Sequence, residues 1–182
     1  DDFVPYNDAI FVKKPGVGGS VSWHQDGNYW GLSNDELTTA WLALTPSTIL
    51  NGCMKMIPGS HKWPKIEHEQ TSDKDNLLSK GQIIKKEIDD SKSINICINS
   101  GEVSLHSINV AHSSGPNNSK SIRIGIAIRY INPKVRQLNN FTDSATLVRG
   151  TDPYNNFEHE PIPKYDYEPI SMSFYNKIAD NN

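Results

Sequence analysis

The chain predicts an all-β fold, a jelly roll of two sheets, and three observations predict it. Short β-prone runs recur along most of its length, turn residues separate them at sandwich-like spacing, and one long run alternates with a period of two. The runs, in order, are Ala9–Lys14, Ser20–Asp26, Thr38–Leu44, Cys53–Ile57, Ser93–Ile98, Glu102–Ser107 and Ile122–Ile131. Between them stand Pro15-Gly16, Asn51-Gly52, Pro58-Gly59, Ser100-Gly101 and Gly115-Pro116-Asn117-Asn118, pairs and clusters that set turn dihedrals. In the last run, IRIGIAIRYI, Ile122, Ile124, Ile126 and Ile128 share one face, while Arg123, Gly125, Ala127 and Arg129 share the other.

Two stretches depart from this pattern. From Trp63 to Asp90 the chain is polar and rich in Lys, Asp and Glu, which reads as a long surface insertion with a short helix around Asp75–Lys80. After Pro133 it becomes polar and Pro-rich, so residues 134–182 are expected to wrap the domain as an irregular tail. Residues 1–182 therefore read as one domain with its core at about 9–133, a length that suits a single proper core.

Composition narrows the function. A net charge of −3 gives no basic field for nucleic acid and no polybasic stripe for a membrane surface. No run approaches the roughly 18 apolar residues of a membrane span. Cys53 and Cys97 make no framework and no CxxC pair, which suits a reducing cytoplasm. The start, DDFVPYNDAI, has neither the pattern of a secretory signal nor an initiator Met, and so reads as part of something longer. Nothing in the sequence speaks to the oligomeric state.

The most informative stretch is SVSWHQDGNYW. On a strand, His24 and Asp26 lie two apart and share a face, where one imidazole and one carboxylate can grip a single ion. A second imidazole from far along the chain would complete a two-His, one-carboxylate facial triad, which favours Fe(II) and leaves coordination positions open. Alone, His-x-Asp is weak evidence, more often a surface salt-bridged pair than a metal grip. The stretch GEVSLHSINVAHSSGPNNSKSIRIGIAIRY offers two candidates for the distant ligand, His106 and His112. It also carries Arg123, whose burial on a strand is costly unless it meets an anion; a carboxylate suits its planar fork.

Four pieces in order, WHQDGNYW, TTAWLAL, NGCMKMIPGSH and AHSSGPNNSKSIR, resemble the phytanoyl-CoA dioxygenase family of Fe(II)/2-oxoglutarate oxygenases, and together they span about Ala9 to Pro133. The resemblance implies a double-stranded β-helix, the cupin-like jelly-roll variant, in agreement with the strand pattern. It implies iron ligands at His24, Asp26 and His112. Arg123, eleven positions after His112, and Ser114, two after it, would bind the far carboxylate of 2-oxoglutarate, with Trp41 lining that pocket. The implied reaction consumes O2 and 2-oxoglutarate and hydroxylates a small organic substrate, with release of succinate and CO2. The helical region usual before this core in the family is missing here. The stretch LVRGTDPYNNFEHEPIP also resembles a halogenating branch, but those enzymes replace the carboxylate ligand by Ala or Gly, and Asp26 favours hydroxylation.

Several residues keep two readings. His106 suits a core or supporting histidine better than a ligand. Trp41 is either pocket wall or ordinary core. Arg129 shares Arg123's face and either binds an anionic substrate group or reaches solvent at the strand end. Asn28, Tyr29 and Trp30 either face substrate or simply pack. His61, His68 and His159 read as solvated surface. Against the oxygenase stand a non-catalytic jelly-roll binding module and a zinc hydrolase using the same ligands.

Overall fold

The computed structural model describes residues 4–5, 9–17, 19–28, 30–70, 76–78, 82–138 and 143–179. Its strands are β1 (Val4–Pro5), β2 (Ala9–Lys13), β3 (Val21–His24), β4 (Leu37–Ala43), β5 (Met54–Met56), β6 (His68–Gln70), β7 (Gln82–Ile84), β8 (Ile94–Ile96), β9 (Val103–Ser107), β10 (His112–Ser114), β11 (Arg123–Ile131), β12 (Ser144–Ala145) and β13 (Glu158–His159). One α-helix, α1 (Pro169–Ala179), follows them.

Nine of the strands form two antiparallel sheets; β6–β7 and the parallel pair β12–β13 stand apart from them. In the larger, β11 is central: β4 pairs along one edge and β9 follows β4, while β1 and β2 share β11's other edge. The smaller runs β3-β10-β5-β8. Trp41, Ala43 and Ala127 of the large sheet pack against Met54 and Met56 of the small one, so the cupin-like jelly roll closes over an apolar layer. A second cluster, with Ile108, Ile131, Val135 and Phe157, closes one end. Full burial of such a side chain stabilises by about 1.5–3 kcal/mol.

Each predicted run contains a strand, with ends shifted by a residue or two. The alternation in β11 is complete, but the buried face is the one carrying Arg123, Gly125, Ala127 and Arg129. The isoleucines between them lie half-buried on the outer face, beside exposed Ile10, Val12, Val103 and Leu105.

Three expectations are corrected. The tail is not wholly irregular, since α1 occupies Pro169–Ala179; Pro169 suits a helix's first turn, and Met172 N–H donates to the Glu168 carbonyl at 2.9 Å. The 63–90 insertion is partly structured, because β6 and β7 form a hairpin and Trp63, Ile66, Ile84 and Ile88 pack against Ile57 and Ala111. Within the stretch expected to be helical, Asn76–Leu78 are not: Asn76 bridges Ser20 in a parallel pairing, and the remaining positions lie outside the described residues. No helix among the described residues is long and apolar enough to cross a membrane.

Candidate metal centre

β3 and β10 are neighbours in the small sheet, and their register makes His24 and His112 direct cross-strand partners. Their ring centroids are 4.1 Å apart. β3 ends at His24, so Asp26 does not share its strand. It opens a 3-10 turn, Asp26–Asn28, which the Gly27 N–H fastens to the Ile108 carbonyl at 3.0 Å. The turn brings the carboxylate back, with Asp26 Oδ1 3.4 Å from His24 Nε2 and 3.9 Å from His112 Nε2.

Backbone carbonyls orient both rings. His24 Nδ1 lies 2.8 Å from the Ser22 oxygen and His112 Nδ1 lies 2.9 Å from the Val110 oxygen. A neutral ring that gives its Nδ1–H to a carbonyl carries its lone pair on Nε2, the arrangement metal-binding histidines use. Burial pushes His112 down to about 3, so at neutral pH it is uncharged. Burial pushes the Asp26 carboxyl up, but His112, His24 and Arg129 outweigh this and hold it below the usual carboxylate range. Imidazole lone pairs and an ionised carboxylate thus converge, with ligand atoms all within 4.8 Å of one another. A divalent cation would neutralise this buried set, and the donors fit iron.

The inward face of β11 supplies the adjoining floor. An alanine Cβ at Gly125 would lie 2.6 Å or closer to Cζ2, Cε2 and Cη2 of Trp41, so only glycine leaves room for the indole. Arg123, 2% exposed, sits 5.1 Å from that ring and donates through Nη1 to the Gly52 carbonyl, while its Nε has no partner. Gly52 must be glycine too: its φ is +76°, and a Cβ would meet the Pro116 carbonyl oxygen at 2.7 Å and that of Gly115 closer still.

Lys13, unforeseen in the sequence, stands opposite Arg123 in the β2–β11 register and is 5% exposed. Its Nζ donates to Ser114 Oγ at 2.6 Å and to the Gly115 carbonyl at 2.5 Å. Burial and the Arg123 guanidinium push Lys13 down to about 7; burial alone pushes Arg123 down to about 10. No carboxylate of the described residues pairs with either cation. Two buried positive groups side by side form a receptor for an anion.

One cavity of about 240 Å³ joins the two regions, with His24, Asp26, His112, Ser114, Arg123 and Trp41 in its wall. Trp41 stands in the cavity wall and in the apolar cluster at once. Trp30, His106 and Arg129 also line the cavity, and Arg129, 8% exposed, does not reach out into solvent. Asn28 is not in that wall; its side chain is turned to the Ile66 carbonyl and His68. Tyr29 lies outside the described residues. His61 and His159 are exposed as expected. His68 is half-buried: its Nε2 accepts from the Gln25 N–H at 3.1 Å, while Gln25 Oε1 accepts from Ile66 N–H at 2.9 Å. The polar insertion is thereby pinned beside the triad, and Leu77 and Leu78 from it complete the wall.

The chain is similar to several known proteins. A probable alpha-ketoglutarate-dependent hypophosphite dioxygenase of Stutzerimonas stutzeri is 31% identical over 119 residues, 64% of this chain and 41% of the relative. The apo structure of the non-heme monooxygenase ThoJ superposes with a TM-score of 0.87 at 31% identity, covering 99% of this chain and 65% of ThoJ. The ThoJ–Ni complex gives a TM-score of 0.78 at 29% identity, over 99% of this chain and 64% of that one. The chain thus spans less than two thirds of each of these relatives. Residues 4–125 match the phytanoyl-CoA dioxygenase (PhyH) family, and on that match the chain belongs to this family of non-haem iron, 2-oxoglutarate-dependent oxygenases.

Proposed function

We propose that this protein is an Fe(II)- and 2-oxoglutarate-dependent dioxygenase that hydroxylates a small organic molecule and releases succinate and CO2. His24, Asp26 and His112 are the iron ligands in this reading; Arg123 and Ser114, with Lys13, hold the far carboxylate of 2-oxoglutarate. The observation that carries it is the pairing, in one cavity, of the buried His–Asp–His cluster with the buried Arg123 guanidinium, which has no carboxylate partner among the described residues, while Lys13 stands behind it, bonded to Ser114 Oγ. A metal-chelating diacid answers both needs at once.

Bound Fe(II) would let O2, the oxidant, be spent on two substrates at once, one oxygen atom going to 2-oxoglutarate as it becomes succinate and CO2 and the other to the hydroxylated C–H bond. The chain's part is geometry and exclusion. The carbonyls of Ser22 and Val110 fix the imidazole tautomers, and the Asp26–Asn28 turn sets the carboxylate. Trp41 and Met54 wall the co-substrate away from water, which strengthens the Arg123–carboxylate attraction. No residue is needed as a general base. Two free thiols, Cys53 and Cys97, support placing the protein in a reducing cytoplasm.

Anaerobic addition of Fe(II) and 2-oxoglutarate should produce a weak visible charge-transfer band, and Asp26→Ala should weaken or abolish it. Oxygen-dependent release of succinate would exclude both a passive binding module and a zinc hydrolase. A wild-type protein that binds Fe(II) but yields no band with 2-oxoglutarate contradicts the proposal.

A further inference from the structure

The cavity has a second polar end that the iron ligands and the co-substrate anchor do not use. Thr39 on β4 is the register partner of Arg129 on β11 and, on its other side, of His106 on β9. Their side chains form one row across three strands, all facing the cavity. All three are buried, with exposures of 8% for Arg129, 2% for Thr39 and 7% for His106. Thr39 Oγ1 and His106 Nδ1 have no hydrogen-bond partner among the described residues. Buried polar atoms are rarely left so, and two together on one cavity wall mark a place for a ligand group.

We propose that the row Arg129–Thr39–His106 is a substrate subsite for an oxyanion, a carboxylate or a phosphonate carried by the molecule to be oxidised. The inference rests on the oxygenase reading above. Arg129 can only donate, Thr39 donates through its hydroxyl, and the His106 ring donates through an N–H. Three donors side by side suit an acceptor with two or three oxygens and suit a neutral amide poorly. The indole of Trp30, 5.1 Å from the guanidinium, holds Arg129 against the wall.

The row is set apart from the co-substrate anchor, because Arg123 and Arg129 lie six residues apart toward opposite ends of β11, about 20 Å between Cα atoms. It does border the metal centre, because the His106 ring centroid is 5.2 Å from that of His112. An oxyanion seated there leaves the neighbouring carbon of the same molecule near the iron position. The substrate class is thus a small acid, oxidised close to its acidic group.

The full chain, loaded with Ni(II) and saturated with 2-oxoglutarate, is titrated calorimetrically with propionate, methylphosphonate and propionamide. Propionate or methylphosphonate should bind at least about tenfold more tightly than propionamide, and whichever is tighter tells the two oxyanions apart. Thr39→Val, nearly isosteric, should weaken the oxyanion by about tenfold, and Arg129→Met should remove it, while 2-oxoglutarate affinity holds in both. Equal binding of propionate, methylphosphonate and propionamide, or an unchanged oxyanion affinity in Thr39→Val, overturns the subsite. If 2-oxoglutarate itself fails to bind the Ni(II)-loaded protein, the oxygenase reading falls instead.

Discussion

Replacing Gly125 by alanine adds one methyl group at the point where the large sheet meets Trp41. Three ring atoms would lie 2.6 Å or closer to the new carbon, far inside the normal contact of about 3.5–4.0 Å between carbons. Ala43 and Met54 pack in the same cluster as the indole, so the ring has little room to retreat. Overpacking of this kind costs about 1–3 kcal/mol. For a chain of this size that corresponds to roughly 2–12 °C in Tm. The indole also stands 5.1 Å from the Arg123 guanidinium, so the same change should weaken 2-oxoglutarate binding to the metal-loaded protein. Thermal and urea unfolding of the wild type, Gly125→Ala, Trp41→Phe and the double variant give a complete cycle. Phenylalanine removes the indole edge that clashes, so the double variant should recover part of the loss, with a coupling of about 1 kcal/mol or more. Wild-type stability in Gly125→Ala, or strict additivity across the cycle, would refute the packing argument.

Two further outcomes follow from the charges of the cavity. His106 and His112 are buried neutral, with values pushed to about 4 and about 3 from the ordinary 6.5. Between those values and pH 6.5 the unfolded chain binds more protons, so stability of the metal-free protein rises with pH and is lost as pH falls through the window. Unfolding free energies from urea titrations at pH 7 and pH 5 should differ by an amount on the order of a few kcal/mol, and equal values would contradict the burial of neutral rings. Lys13→Met should raise the Kd of the Ni(II)-loaded protein for 2-oxoglutarate about tenfold at pH 7, with Lys13→Arg recovering part of it. Because an anion favours the ammonium form and Lys13 loses its proton near 7, wild-type affinity should fall as pH rises above that point; a Lys13→Met protein with the same slope would show that another group is responsible.

Much of the site is legible because its key residues sit in short local patterns. His24-x-Asp26 and the Ala111-His112-Ser113-Ser114-Gly115 turn are contiguous, and the period of two in β11 fixes which side chains accompany Arg123. The local reason for the first pattern differs from a shared strand face, since Asp26 is returned to His24 by a 3-10 turn. Asn28 follows the motif directly and yet serves the insertion, because the same turn swings it toward Ile66. Lys13 escapes notice because a lysine beside Lys14 and Pro15 looks like an exposed strand end; only its pairing with Arg123 buries it. His68 is similar, a histidine in a polar stretch that Gln25 draws inward. The helix α1 did leave local signs in Glu168-Pro169 and in the helical spacing of Ile170, Phe174 and Ile178, but none of its side chains is fully buried, so the stripe is weak.

By itself the sequence determined the all-β class, the places of the strands and the residue types of the metal cluster, because period and turn chemistry are written in neighbouring residues. The tertiary structure decided, beyond the inward place already read for Arg123, that its whole face of β11 is covered, since alternation says which residues travel together and not which side meets the core. Here the small and charged face is inside and the isoleucines half-covered outside, against the usual expectation for apolar side chains. The same holds for the rows Lys13–Arg123 and Arg129–Thr39–His106. They are built by register between strands far apart in the chain, and register is a property of the assembled sheet.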